Sequence, residues 1–326
     1  MAFLKKAFNT LANTSPVHKT SSSYLYKYKN RFAMLGTVGS GKSATAAGIF
    51  LTAQTLSNDD PYFYGDVVES NSDILADVSN LRRGRFPGKT NPYQPNPVES
   101  GLVLTWKKRF GGEQTMQIPI CDVAGEDVQQ MIRQNRLTLN RENFNANRQL
   151  MDYVRDADGF LLCVPASRAL MFQDDVQLEA EPSAQTDIGD PDVPVNRILI
   201  DVINFKRGMS GSKPIKAIAV IITKWDLIEP YASRLNMDLY DPTGEGLQRF
   251  MKICFPGTSM TLKKYLDADK VRFFPSHYQV LKDDKNNVVK WSNGGDRIDV
   301  IHERRVPRYS EQSYMNLFKW LRRFAT

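Results

Sequence analysis

Three continuous apolar runs punctuate the chain, Phe32-Ala33-Met34-Leu35, Gly159 to Val164 (GFLLCV) and Ala217 to Ile222 (AIAVII), and Val271 to Phe274 (VRFF) reads as a last short strand. Short runs with no polar alternation predict strands buried on both faces. Leu102 to Trp106 and Gln114 to Ile120 flank the glycine-bearing stretch Lys107 to Glu113 and predict a hairpin. Ala44 to Leu56, Ala-, Leu- and Ile-bearing and free of proline, predicts a helix, as does Asn196 to Lys206, and Ser313 to Phe324 closes the chain as a helix with Tyr314, Leu317, Phe318 and Leu321 on one face. Asp127 to Val154 is polar and compatible with helix. Strands alternating with helices predict an α/β fold, a mainly parallel six-stranded sheet with helices on both faces. Ligands of such sheets sit at the carboxyl ends of the strands.

Other stretches interrupt this pattern. Residues 57–97, rich in Asn, Asp, Pro, Gly and Arg, show no sustained period and are expected to form a long loop. Residues 172–195 hold Asp174, Asp175, Glu179, Glu181, Asp187, Asp190 and Asp192 among prolines, an acidic insertion. Residues 279–312 carry NN and NGG turns, an inserted hairpin. At the start, Phe3, Leu4, Ala7, Phe8 and Leu11 fall at helical spacing, and a polar stretch to Ser23 follows. The expected organisation is an amphipathic segment with linker over 1–23 and one elaborated domain over 24–326. The first segment suits packing on the domain, a partner, or peripheral contact with a membrane surface. Ala2 excludes N-myristoylation.

Composition changes this picture little. The 326 residues are 41% hydrophobic and 24% charged, enough for a substantial core, and the net charge of +7 permits a polyanionic partner without demanding nucleic acid. Cys121, Cys163 and Cys254 have no CxxC spacing, so they read as reduced thiols and the expected location is cytoplasmic. His18 and His302 lack partners at metal-ligand spacing.

The chemistry concentrates behind the strands. Gly36 to Ser43 reads GTVGSGKS between an apolar strand and a helix. Gly36, Gly39 and Gly41 let successive amides curl inward around a polyanion. In such a loop the amides of Ser40, Gly41 and Ala44 and the helix N-terminus face phosphates, Lys42 reaches the outer two, and Ser43 ligates Mg²⁺. Asp122-Val123-Ala124-Gly125-Glu126 follows the strand ending at Cys121; Asp122 suits Mg²⁺, and Gly125 lets a backbone N–H approach the γ-phosphate. Thr223-Lys224-Trp225-Asp226 follows AIAVII. The Asp226 carboxylate can accept from N1–H and the exocyclic amine of guanine, a donor pair adenine lacks, while the Lys224 stem lies over the purine.

GTVGSGKS, DVAG and TKWD in this order resemble the Ras-like, translation-factor-related class of P-loop GTPases, over about Phe32 to His277. The resemblance implies GTP and GDP as ligands, Mg²⁺ as cofactor, and an unidentified protein effector. Ser276-His277 after VRFF matches that class's fifth motif only in its serine; by similarity the His277 N–H meets guanine O6. Thr90 in Arg85-Phe86-Pro87-Gly88-Lys89-Thr90 occupies the place of the threonine that senses Mg²⁺ and γ-phosphate, and this FPxxT pattern is also similar to that of bacterial double-GTPase proteins. Where the class positions water with glutamine, this chain has Glu126, whose charge beside the γ-phosphate predicts slow hydrolysis. Arg85, with Arg82 and Arg83, is a candidate cis-acting cation for the transition state. The expected function is a GTP-binding switch that hydrolyses slowly, with residues 71–90 and 125–135 changing order. An ATP-driven motor with a coincidental TKWD and a nucleotide-bound scaffold without turnover are the alternatives.

Overall fold

The computed structural model describes residues 30–37, 39–68, 73–88, 99–108, 111–121, 152–166, 190, 192–208, 211–227 and 244–326. The amphipathic segment 1–23, and with it the reading of its partner, lies outside the described residues.

The three apolar runs and VRFF form one parallel sheet. Strand β1 (Phe32–Gly36) pairs with β5 (Gly159–Pro165), β5 with β6 (Ala217–Thr223) and β6 with β7 (Val271–Ser276). A second sheet, antiparallel, runs β2 (Phe63–Val68), β3 (Glu99–Lys107), β4 (Glu113–Cys121), and contains the expected hairpin. A parallel bridge between Arg31 and Gln117 joins β4 to the approach of β1, with Gln117 N–H donating to Asn30 O at 2.8 Å. Beyond that bridge the Tyr153 hydroxyl takes over. It accepts from Met34 N–H at 2.7 Å and lies 3.0 and 3.1 Å from the carbonyls of Met34 and Pro119.

The strand inventory therefore departs from the expected six-stranded parallel sheet. Four described strands are parallel, and β2 arises in the stretch expected to be a loop. Phe63 is buried while Tyr64 and Asp66 are exposed, the alternation of a half-buried edge strand, too short to stand out among polar neighbours. The same stretch contains a helix over Asp73–Arg82, with Ile74, Val78 and Leu81 buried along one stripe.

Alternate residues of each parallel strand face opposite cores. Ala33, Leu35, Phe160, Leu162, Val164, Ile218, Val220 and Ile222 pack towards α3 (Asp192–Gly208), α4 (Glu245–Cys254) and α5 (Pro256–Tyr265). Phe32, Met34, Leu161, Cys163, Ala219 and Ile221 face α1 (Lys42–Asp59), α2 (Asp73–Arg82) and the terminal helix α6 (Glu311–Leu321). Helices thus cover both faces, as expected. Helix α3 begins at Asp192, inside the stretch read as an acidic insertion: the Asp190 carboxylate accepts from Asp192 N–H at 2.9 Å, and the Asp192 carboxylate in turn accepts from Gly257 N–H, Thr258 N–H (3.0 Å) and the Thr258 hydroxyl at the start of α5.

The expected inserted hairpin is a three-sided meander. Leu281, Val289 and Arg297 form a ring in which each is joined to the next by one backbone hydrogen bond of 2.7–2.9 Å. Gln279, Asp299 and Arg308 form a second such ring, each bond 2.8 or 2.9 Å. The short pair β8 (Val300–Ile301) and β9 (Val306–Pro307) completes this unit. No helix among the described residues is long and apolar enough to cross a membrane.

Candidate nucleotide site

The register of the parallel sheet brings three separated motifs to one edge. Gly36 lies opposite Cys163, Pro165 opposite Thr223, and Thr223 opposite Ser276. The GTVGSGKS loop, the TKWD turn and Ser276-His277 therefore leave the sheet together at its carboxyl end, the end where α/β sheets hold ligands.

The loop is shaped by its glycines and locked by its neighbours. Gly39 (φ 68°) and Gly41 (φ 79°) are left-handed, which non-glycine residues adopt only with strain. At Gly36 a Cβ would come within 2.9 Å of Cys163 O, so a side chain there would push the loop off β5. Ser40 N–H closes a turn onto Thr37 O at 3.2 Å, and Thr45 N–H onto Gly41 O at 2.9 Å opens α1. Gly41 caps that helix without a side-chain bond, and no acidic residue occupies its first turn. The positive end of the 18-residue α1 is aimed at the loop. Lys42 folds back over it, Nζ donating to Gly36 O at 3.1 Å and Thr37 O at 3.0 Å. Its ammonium thus sits within the curl. The Thr37 and Ser40 hydroxyls are buried with no hydrogen-bond partner among the described residues, an orphaning that costs energy unless a ligand or an ordered water supplies the partner. Beneath them, burial pushes the Cys163 thiol up to about 11, against the pull of Lys42.

The second motif touches the first. The Thr223 hydroxyl donates to Ser40 O at 2.7 Å, and its Cβ would lie 3.3 Å from a Cβ at Gly41. Thr223 positions the loop through this bond. Lys224 is left-handed at φ 55°, a conformation of the kind held at functional turns. It points the chain into a short turn, Trp225–Leu227, where Trp225 is buried edge-on against Phe250 at 5.1 Å. Asp226 is half-buried beside it.

Ser276 is buried, its hydroxyl 2.5 Å from the Tyr314 hydroxyl. The His277 N–H donates to Ser310 Oγ at 3.1 Å, and Ser310 N–H returns to His277 O at 3.2 Å. Contact of that N–H with guanine O6 would replace the Ser310 bond. Arg85 is set on the meander: its backbone bridges Arg297, and its guanidinium lies over the Trp291 ring at 4.5 Å. Service as a cis cation would require it to leave that ring. Ser43 and Ala44 open α1 and are half-buried. Thr90, Asp122, Gly125 and Glu126 lie outside the described residues. Among the described residues no group of three or more His, Cys, Asp or Glu side chains is placed to hold a metal.

Two supports escaped sequence reasoning. Thr37 supplies a carbonyl to Lys42, and Tyr278 donates its hydroxyl to Ala44 O at 2.7 Å in the first turn of α1. Tyr278 follows the Ser276 motif by two positions, the one sequence signal that it belongs to this edge.

No family model matches the chain, and no curated protein does. Among solved structures, the chain is similar to the GTP-bound GTPase-like domain of Saccharomyces cerevisiae Ski7, at 15% identity and a TM-score of 0.34, over 85% of this chain and 50% of that one. A Thermus thermophilus structure gives 14% identity and a TM-score of 0.25, over 66% of this chain and 24% of that one. This chain spans about half the length of the first and a quarter of the second. At such scores the fold rests on the strand order and register of this chain alone.

Proposed function

We propose that the carboxyl edge of the parallel sheet binds a guanine nucleotide with Mg²⁺, and that the protein is a switch that hydrolyses GTP slowly for a protein effector. The observation that carries this reading is the Lys42 ammonium held inside a glycine-shaped loop that Thr223 ties to the TKWD turn. A phosphate reader and a base reader are thereby fixed to each other. The donor set fits a polyphosphate: a cation, a helix N-terminus, and two buried hydroxyls, of Thr37 and Ser40, with hydrogen-bonding capacity to spare.

In this reading Lys42 exchanges the carbonyls of Gly36 and Thr37 for phosphate oxygens. Gly39, Ser40, Gly41 and Ala44 present amides, and Asp226 selects guanine while Lys224 covers its face. Ser43 would hold Mg²⁺ with Asp122 and Thr90. The metal would neutralise charge that develops on the β- and γ-phosphates. Glu126 would orient the attacking water, and its own charge beside the γ-phosphate makes turnover slow.

Base choice is the test. Titration of labelled GTP and ATP into wild type and Asp226→Asn is expected to show a strong preference for GTP that falls by about tenfold or more in the variant, the loss of a bidentate charged pair. Equal affinity for the two nucleotides, unmoved by the substitution, would leave the ATP-driven motor as the better reading.

A further inference from the structure

Trp291 stands apart from the other tryptophans: Trp106, Trp225 and Trp320 are buried in the cores, whereas Trp291 is half-buried on the meander. It is held rigidly. Its Nε1–H donates to Gly84 O at 3.1 Å, its backbone N–H to Gly295 O at 2.8 Å, and its carbonyl accepts from Gly294 N–H at 2.9 Å. Two guanidiniums rest on this one ring, Arg85 at 4.5 Å and Arg297 at 4.8 Å from its centre.

Those arginines are also directly opposed across an antiparallel bridge. Like charges in that position repel and destabilise the pairing. Contact with the indole offsets part of that cost, since a ring face attracts cations. Neither guanidinium forms an ion pair with a described carboxylate. A paired positive charge is therefore held on a fixed platform with no carboxylate in ion-pair contact among the described residues. Phe86, the next residue along the chain, is 40% exposed with its edge against Tyr278 at 6.0 Å, an apolar group within reach of a segment that engages Arg85. Stacked arginines keep their N–H forks free at the ring's rim, the geometry that accepts a carboxylate in two parallel bonds. With arginines over it the indole is a poor stacking surface for a nucleobase, which weighs against single-stranded nucleic acid.

We propose that Arg85 and Arg297, stacked on Trp291 beside Phe86, form a docking point for an acidic, hydrophobic peptide segment of a partner protein. This surface stands on its own whether or not the sheet edge binds guanine nucleotide. It lies at the end of α2, immediately before the residues that lead to Thr90.

The test uses the full chain and a fluorescein-labelled peptide of alternating glutamate and leucine, read by anisotropy, with tryptophan emission as a second signal from the half-buried ring. Saturable binding is expected, weakened about tenfold in Arg85→Gln and again in Arg297→Gln, the loss of one charge-assisted fork each. The double Arg→Lys variant, which keeps the charge without the fork, is expected to bind more weakly than wild type. Thermal melting of each variant checks that it is folded. Inorganic phosphate and a single-stranded uridylate oligomer are the competing probes, and little competition is expected from either. Absence of peptide binding, binding unmoved in the glutamine variants, full retention with lysine, or tighter arginine-dependent binding of the oligomer would each overturn the proposal.

Discussion

At the residue scale, the sharpest dependence is on one phenol. Where β1 and β4 part beyond the Arg31 and Gln117 bridge, the Tyr153 hydroxyl serves the Met34 amide and reaches the carbonyls of Met34 and Pro119. The ring is 1% exposed, so water does not replace it. Tyr153→Phe keeps the ring and orphans buried backbone groups, which is expected to cost about 1–3 kcal/mol in urea unfolding. A variant within experimental error of wild type would mean that β1 and β4 do not depend on this wedge. Asp192 is a similar case: one carboxylate, read from sequence as part of an acidic tract, joins the starts of two helices. Its acidity was visible in sequence; its partners, 65 and 66 residues away, were not.

At the element scale, the back of α1 is fitted to the far end of the chain. Tyr278 donates to Ala44 O, the Tyr309 hydroxyl lies 3.0 Å from Thr52 Oγ1, and Tyr278 and Tyr309 stack at 5.8 Å. Gly48 lies under this cluster. A Cβ there would sit 2.6 Å from the Tyr278 hydroxyl and 2.7 Å from the Tyr314 ring. In an isolated helix Gly→Ala gains about 1 kcal/mol, but overpacking a core costs about 1–3. Gly48→Ala is therefore expected to lower the melting temperature and, by pushing α1 off the meander, to weaken whatever the loop before it binds. A rise in melting temperature would show that the tyrosines yield. The same contact explains the limit of sequence reading. Three of the parallel strands were legible as continuous apolar runs, α1 as a proline-free stretch rich in Ala, Leu and Ile, and the loop between β1 and α1 because its glycines precede Lys42 in a fixed spacing. The edge strand β2, α2 and α5 were not, since each is short and its burial depends on partners far along the chain; α4 carries Leu247, Phe250 and Met251 at helical spacing, a signal the sequence does hold. The placement of Arg85 on Trp291 had no local signal at all.

For the whole molecule, stability against pH follows from groups buried at opposite ends of the sheet. Lys206 donates to the carbonyls of Arg155 and Ala157 at 2.8 and 2.6 Å, and burial lowers its pKa from 10.5 to about 8 against the pull of Asp158. The unfolded chain then binds more protons than the folded one from about pH 8 to 10.5, so Lys206 favours folding as pH rises through that window. Burial acts with the opposite sign on the acids. Cys163 and Cys254 are raised from 9.0 to about 11, and Tyr278, Tyr309 and Tyr314 lie above their ordinary 10.0, so each loses stability once pH passes its unfolded value. Between about pH 8 and 9 the lysine acts without this opposition, and above 9 the thiols and then the phenols outweigh it. Urea midpoints measured from pH 7 to 10 are expected to climb first and then fall. Lys206→Met, which keeps the apolar stem and removes the charge, is expected to abolish the climb and leave the fall. A climb that survives in the variant would assign the rise to another group and remove Lys206 from this account.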